Sequence, residues 1–159
     1  MQPPQQAVEV SSAQRVLLAS EGRPFGEDVI DLAAELVHPR TGRVRVMTVA
    51  RLWGTGLGIP HPGLRPNKSE MAVHEDNVRQ AIRRLKAAGV RADGHIVTTR
   101  KPYKSILNEA KRQECDAIVM GADAQRAWVV GNLMWSQEPY RVRRRAPIPT
   151  HLVRPVDGP

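Results

Sequence analysis

A single three-layer α/β fold on a parallel sheet is predicted by three features of the sequence. Short apolar runs alternate with longer segments of helical periodicity along most of the chain. Two of the runs, Val16-Leu17-Leu18-Ala19 and Ala117-Ile118-Val119-Met120, are apolar on consecutive residues, as strands buried on both faces are. Alternating strands and helices joined by right-handed crossovers give a parallel sheet with helices on both of its faces.

Arg15 to Ser20 reads as the first strand and Glu21-Gly22-Arg23-Pro24 as the turn after it. Phe25 to His38 predicts a helix, with Val29, Ile30, Ala33, Leu36 and Val37 on one face and Pro39 and Gly42 ending it. Val44, Val46 and Met47 to Ala50 form the second strand. A connection from Arg51 to Lys68 follows, rich in glycine and proline. Ser69 is the expected N-cap of the second helix, whose apolar residues are Met71, Val78, Ile82 and Leu85 and whose end is Gly89. His95 to Thr98 is the third strand. Pro102 opens a helix that runs to Gln113 with Ile106, Leu107 and Ala110 as its stripe. Ala117 to Met120 is the fourth strand, stopped by Gly121. Ser136 is the expected N-cap of a last helix beginning Gln137-Glu138-Pro139, with Tyr140, Val142 and Ala146 facing inward. Pro147 and Pro149 end it, and His151 to Val153 is the fifth strand.

Length and composition fit this picture. The 159 residues suit one domain, with 41% hydrophobic, 25% charged and only 4% aromatic residues, so the core is aliphatic. No apolar run approaches the ~18 residues that span a bilayer, and Met1 to Gln6 lacks the layout of a signal peptide. The lone Cys115 excludes an internal disulfide and fits a reducing, cytoplasmic setting. It reads as an inert small hydrophobe at the start of a buried strand. The net charge of +8 suggests phosphate-bearing partners, although an arginine excess also arises from genome base composition.

Lys101-Pro102-Tyr103-Lys104-Ser105-Ile106-Leu107-Asn108-Glu109-Ala110, followed by Cys115-Asp116-Ala117-Ile118-Val119-Met120-Gly121, resembles the universal stress protein family. That family has a Pro-led helix with Ile-Leu and Ala, then Asp-Leu-Ile-Val-Met-Gly. Arg145-Ala146-Pro147-Ile148-Pro149 resembles its Ala-Pro-x-Pro, and the first strand with Glu21-Gly22 its Ala-Thr-Asp-Gly-Ser. The resemblance implies strand order 3-2-1-4-5 and a domain over residues 13–154, between a disordered tail (1–12) and a loose one (155–159). It further implies a non-enzymatic stress-response protein, a homodimer joined through the last strand, and an adenine nucleotide such as ATP or AMP at the C-terminal ends of strands one and four.

Carried over residue by residue, Ala19, Ser20 and Glu21 would meet base or ribose, with Val49 packing nearby. Met120 and Gly121 would close the phosphate end, together with either Gly131-Asn132 or Ser136-Gln137 at the last helix entry. The family's loop, G-x-x-G-x9-G-(S/T), is only partly present: Ala124 stands where its second glycine belongs, and Glu21 replaces its aspartate. Arg23 and Arg126 are candidates to meet phosphates directly. A nucleotide-free member, with Trp135 filling the space, stays open beside this reading. So does weak ATP hydrolysis, with Glu21 and Asp123 as the available carboxylates.

Other constellations carry less. Gly54-Thr55-Gly56-Leu57-Gly58 lacks dinucleotide-binding spacing. The five histidines show no metal-ligand spacing, and no catalytic set is visible. Arg141, Arg143, Arg144 and Arg145 make the last helix basic, which offers an alternative function: binding RNA or an acidic protein partner.

Overall fold

The computed structural model describes residues 13–52, 66–123 and 137–155. In chain order they form β1 (Arg15–Ser20), α1 (Glu27–Leu36), β2 (Arg43–Arg51), α2 (Lys68–Ala87) and β3 (Arg91–Thr99). Then come α3 (Pro102–Arg112), β4 (Ala117–Gly121), α4 (Glu138–Arg145) and β5 (Thr150–Val153). The sheet is parallel throughout and ordered β3-β2-β1-β4-β5, the expected order.

Alternation along each strand divides the core in two. Val16 and Leu18 of β1, Val44 and Val46 of β2, and Ala117 and Val119 of β4 face one way, against Val29, Ile30 and Ala33 of α1 and Val78, Ala81 and Leu85 of α2. Leu17, Ala19, Met47, Val49, Ile118 and Met120 face the other way, against Ile106 and Ala110 of α3 and Val142 of α4. Central β1 is therefore buried on both faces, which is why its apolar residues run without interruption. Fully burying a side chain the size of Leu17 or Ile118 contributes about 1.5–3 kcal/mol.

Polar groups fix how the strands enter the sheet. Asp116 Oδ2, just before β4, accepts from the Gln14 and Arg15 N–H groups (2.7 and 3.0 Å), while its own N–H donates to the Arg15 carbonyl at 2.8 Å. The aspartate of the family-like stretch thus clasps the start of β1 and stands at the end of the sheet opposite the site. A second charged group lies between sheet and α3. Glu109, 4% exposed, accepts from Arg45 Nε at 3.3 Å and pairs with Arg112, with His95 Nε2 3.7 Å away. Burial, then the Arg45 charge, holds the His95 imidazole below its ordinary pKa.

Several boundaries differ from expectation. α1 begins after Gly26 and stops at Leu36, because Val37 leaves the helix to form a parallel bridge with Ala13. α2 is capped by Asn67, two residues before Ser69. Asn67 Oδ1 accepts from the Glu70 N–H at 2.9 Å and Glu70 Oε2 accepts from the Asn67 N–H at 3.1 Å, a closed capping box. The same helix ends as expected at Gly89, which lies in the left-handed region at φ 80° and sends its N–H to the Lys86 carbonyl. β3 starts at Arg91, four residues before His95, because an edge strand does not need an apolar run. In α4, Gln137 is the N-cap and not the first helical residue. The expected N-terminal tail, residues 156–159 of the C-terminal one, the Gly54 to Gly58 run, Trp135 and the expected cap Ser136 lie outside the described residues.

Candidate functional site

The C-terminal ends of β1 and β4 lie side by side, with Ala19 paired to Met120. The turn after β1 is built tightly. Ser20 Oγ accepts from the Gly22 N–H at 3.1 Å and donates to the Arg23 carbonyl at 2.5 Å. Gly22 has φ 128°, and a Cβ there would sit 3.2 Å from the Val49 carbonyl oxygen. Only glycine lets the turn press so closely on the end of β2.

This turn aims Arg23 across the strand ends. Its guanidinium binds Glu21 Oε1 at 2.6–2.7 Å and forks onto both oxygens of Asp123 at 3.1 Å each. Burial works against the Arg23 charge, but Glu21 and Asp123 outweigh it and raise the guanidinium pKa above its ordinary value. The ion triplet bridges the β1–α1 turn to the end of β4. Asp123 is anchored from the far side as well, since Tyr140 Oη donates to its carbonyl at 2.5 Å.

Beside the triplet lies a cleft of about 220 Å³. Ala19, Ser20, Arg23, Gly121 and Ala122 line it from the strand ends, Phe25, Gly26 and Asp28 from the start of α1, and Val153 and Pro155 from the end of β5. On the other flank of the same turn, four buried polar atoms have no hydrogen-bond partner among the described residues: Glu21 Oε2, Thr48 Oγ1, His74 Nδ1 and Asn77 Nδ2. His74 approaches the turn, its Cε1 lying 3.8 Å from the Cβ position of Gly22. Asn77 follows one helical turn later. A buried polar group left unpaired costs roughly 1–3 kcal/mol, so this flank calls for polar atoms to complete it.

Of the residues the sequence singles out, Ala19, Ser20 and Gly121 meet at the cleft, and Glu21 joins them through Arg23. The side chains of Val49 and Met120 are sealed in the core between the sheet and α3 and α4, away from the cleft. Gln137 is exposed and makes no side-chain cap to α4. Gly131, Asn132, Ser136 and Arg126 lie outside the described residues. Arg23 is not the open phosphate ligand that the sequence suggests, because two carboxylates already hold it. Thr48, His74 and Asn77 escape the sequence reading. Their signal is polarity on a core-facing stripe: His74 and Asn77 share the sheet-facing side of α2 with Val78, Ala81 and Leu85.

The basic helix is partly occupied by its own surroundings. Arg141 pairs with Glu138 at 3.0 Å, Arg145 lies 4.8 Å over the Tyr103 ring, and Arg143 and Arg154 lie 5.4 and 5.9 Å from the Tyr140 ring. Burial raises the Cys115 thiol pKa to about 11, with Glu109 and Asp116 adding to it, which keeps the thiol protonated at neutral pH. Among the described residues no cluster of histidine, cysteine and carboxylates is arranged to hold a metal ion, and no helix is long and apolar enough to cross a membrane.

Comparison with known proteins places these features. UspA from Lactobacillus plantarum has a TM-score of 0.66 and 17% identity, over 90% of this chain and 99% of that one. The universal stress protein from Archaeoglobus fulgidus in complex with dAMP has a TM-score of 0.63 and 20% identity, over 87% and 96%. A universal stress protein in complex with cAMP has a TM-score of 0.62 and 18% identity, over 90% and 98%. No curated protein matches the chain significantly. The model of the universal stress protein family matches residues 12–154, and the chain belongs to that family.

Proposed function

We propose that this is a non-enzymatic stress-response protein that binds an adenine nucleotide across the C-terminal ends of β1 and β4, as a homodimer paired through β5. The observation that carries the nucleotide reading is the buried Glu21 Oε2, unpartnered among the described residues and at the residue that takes the place of the family's aspartate. A purine amino group or a ribose hydroxyl supplies the donor it lacks. Thr48, His74 and Asn77 add further polar atoms on the same flank. The dAMP and cAMP complexes of two proteins with the same fold support the reading. Dimerisation draws support from β5, which has a neighbouring strand on one side only, among the described residues. Beside it lies a groove of about 400 Å³ lined by Leu107, Cys115, Ile118, Pro147 and Ile148. The alternative of RNA or an acidic partner on α4 has less support, because most of the arginines there already engage Tyr103, Tyr140 or Glu138.

The test is calorimetric titration of the intact chain with AMP, cAMP and ATP, beside Glu21→Ala and Gly121→Leu. Loss of a charge-assisted hydrogen bond is worth about 1.5–3 kcal/mol, so Glu21→Ala is expected to weaken binding at least tenfold. Gly121→Leu is expected to abolish it. Among the described residues a Cβ at Gly121 meets Arg23 Cδ and Val29 Cγ2, at 3.4 and 3.5 Å, both ordinary contacts, so the longer side chain is expected to project into the cleft with the fold intact. Equal affinity in all three proteins, or no binding at millimolar nucleotide, would overturn the proposal.

A further inference from the structure

We infer that the outer edge of β3 and the groove between β3 and α2 form a docking site for an extended acidic segment of a partner protein, added to the sheet as a sixth strand. β3 pairs with β2 along its whole length, and no described strand lies on its other side. Its nine residues leave a row of main-chain donors and acceptors about 30 Å long. Such an edge binds a strand by main-chain hydrogen bonds and selects it through alternate side chains.

The selecting surface is built into α2. This helix crosses β2 and β3 at close range because Gly94 has no side chain. A Cβ there would lie 2.7 Å from the Val46 carbonyl oxygen and 2.9 Å from Val78 Cγ1. The outer side of α2 then overhangs the edge and encloses a groove of about 600 Å³. Met71, Val78, Ile82 and Ile96 give it an apolar floor, and its charged rim holds three cations, Arg79, Arg83 and Lys86, to one carboxylate, Glu75. Arg79 is paired with Asp76, whereas Arg83 and Lys86 are exposed, as is Arg91 at the start of β3, and none of these last three makes an ion pair among the described residues.

Charge decides the occupant. A second copy of this chain docked edge to edge would bring the same free cations together, on a molecule already at +8. Nucleic acid would leave the apolar floor and the main-chain edge unused, and no phenylalanine, tyrosine or tryptophan among the described residues lines the groove for base stacking, the His95 ring facing Glu109 on the other side of the sheet. A strand that carries aliphatic and acidic residues on the same face fits both. Side chains at every second position face α2, the aliphatic ones entering the groove and the acidic ones reaching Arg83 and Lys86, while an acidic residue at an intervening position reaches Arg91 on the other face of the sheet.

The probe is a fluorescein-labelled peptide of about ten residues repeating Val-Val-Glu-Glu, which puts both residue types on each face of the strand, with a Lys-for-Glu version as control. Anisotropy is read on the intact chain, and amide hydrogen exchange locates the contact. The Glu peptide is expected to bind, to weaken as salt rises, and to slow exchange at alternate amides of Arg91–Thr99. Arg83→Glu with Lys86→Glu is expected to weaken it at least tenfold while thermal melting stays unchanged, since both side chains are exposed. The proposal is overturned if the Lys peptide binds equally well, if protection appears on α4 instead of β3, if the double variant binds like the parent, or if the edge pairs two copies of this chain. None of these outcomes depends on nucleotide binding.

Discussion

Arg23 holds the position that a phosphate-rich ligand would contest. Its guanidinium is already shared between Glu21 and Asp123, so an incoming phosphate must displace a carboxylate and then lie beside it. Asp123→Asn keeps the side-chain volume and removes that charge. We expect the variant to bind ATP about tenfold more tightly relative to adenosine, since close charge repulsion of about 1.4 kcal/mol corresponds to that factor. The cost in stability should be about 1 kcal/mol or less, because both side chains of the pair are about a quarter exposed and solvent screens them. Calorimetry with both ligands and a thermal melt check the two statements. An unchanged ATP-to-adenosine ratio would mean that phosphates do not approach this pair. At this scale the sequence was legible for residue type and strand end, as with Ala19, Ser20 and Gly121. It was not legible for partnership, since Arg23 and Asp123 are 100 positions apart and meet only through the pairing of β1 with β4.

Elements depend on one another through their ends. The start of α3 has little capping of its own: Lys101 supplies no side-chain cap, and Pro102 has no N–H to offer. The next donor, the Tyr103 N–H, goes to Glu138 Oε2 at 2.9 Å, so the first residue of α4 caps α3. The buried carboxylate also suits the positive end of the α3 dipole. Glu138→Ala is expected to cost about 2–3 kcal/mol, with Glu138→Gln losing less because its amide oxygen still accepts. Urea denaturation of the two variants tests this, and equal losses would assign the effect to packing alone. Helical periodicity located all four helices, yet the capping residue of α2 was misassigned. Asn67 and Ser69 are both good cap types, and the reciprocal Glu70 three residues after Asn67 distinguishes them. The early part of β3 was hidden for a related reason: Arg91, Asp93 and Gly94 do not read as a buried strand, because the outer edge does not require one.

Among the described residues the sheet has two open edges of unlike character, β3 flanked by cations without an ion-pair partner there and β5 preceded by a segment that lines an apolar groove. The proposed self-association would use the second. Sedimentation equilibrium at micromolar concentration is expected to give twice the chain mass of 17.7 kDa, and Ile148→Asp to return it to the monomer. A monomeric parent, or a dimer indifferent to Ile148→Asp, would remove β5 as the interface. The parallel architecture was readable because alternating strands and helices leave few arrangements, while the strand order came from the family resemblance. The ligand end was less so, since it is assembled from turns whose contacts cross the whole sequence. The clasp of Asp116 on Gln14 and Arg15 has a consequence for biosynthesis. Strand β1 leaves the ribosome first, but its β4-side edge and the acceptor for its leading amides are made roughly a hundred residues later. At about 5–20 residues per second that is a delay of roughly 5 to 20 s, during which the central strand of the sheet, buried on both faces once folded, waits with one side unpaired, a nascent-chain interval in which a ribosome-associated chaperone has its opportunity to act.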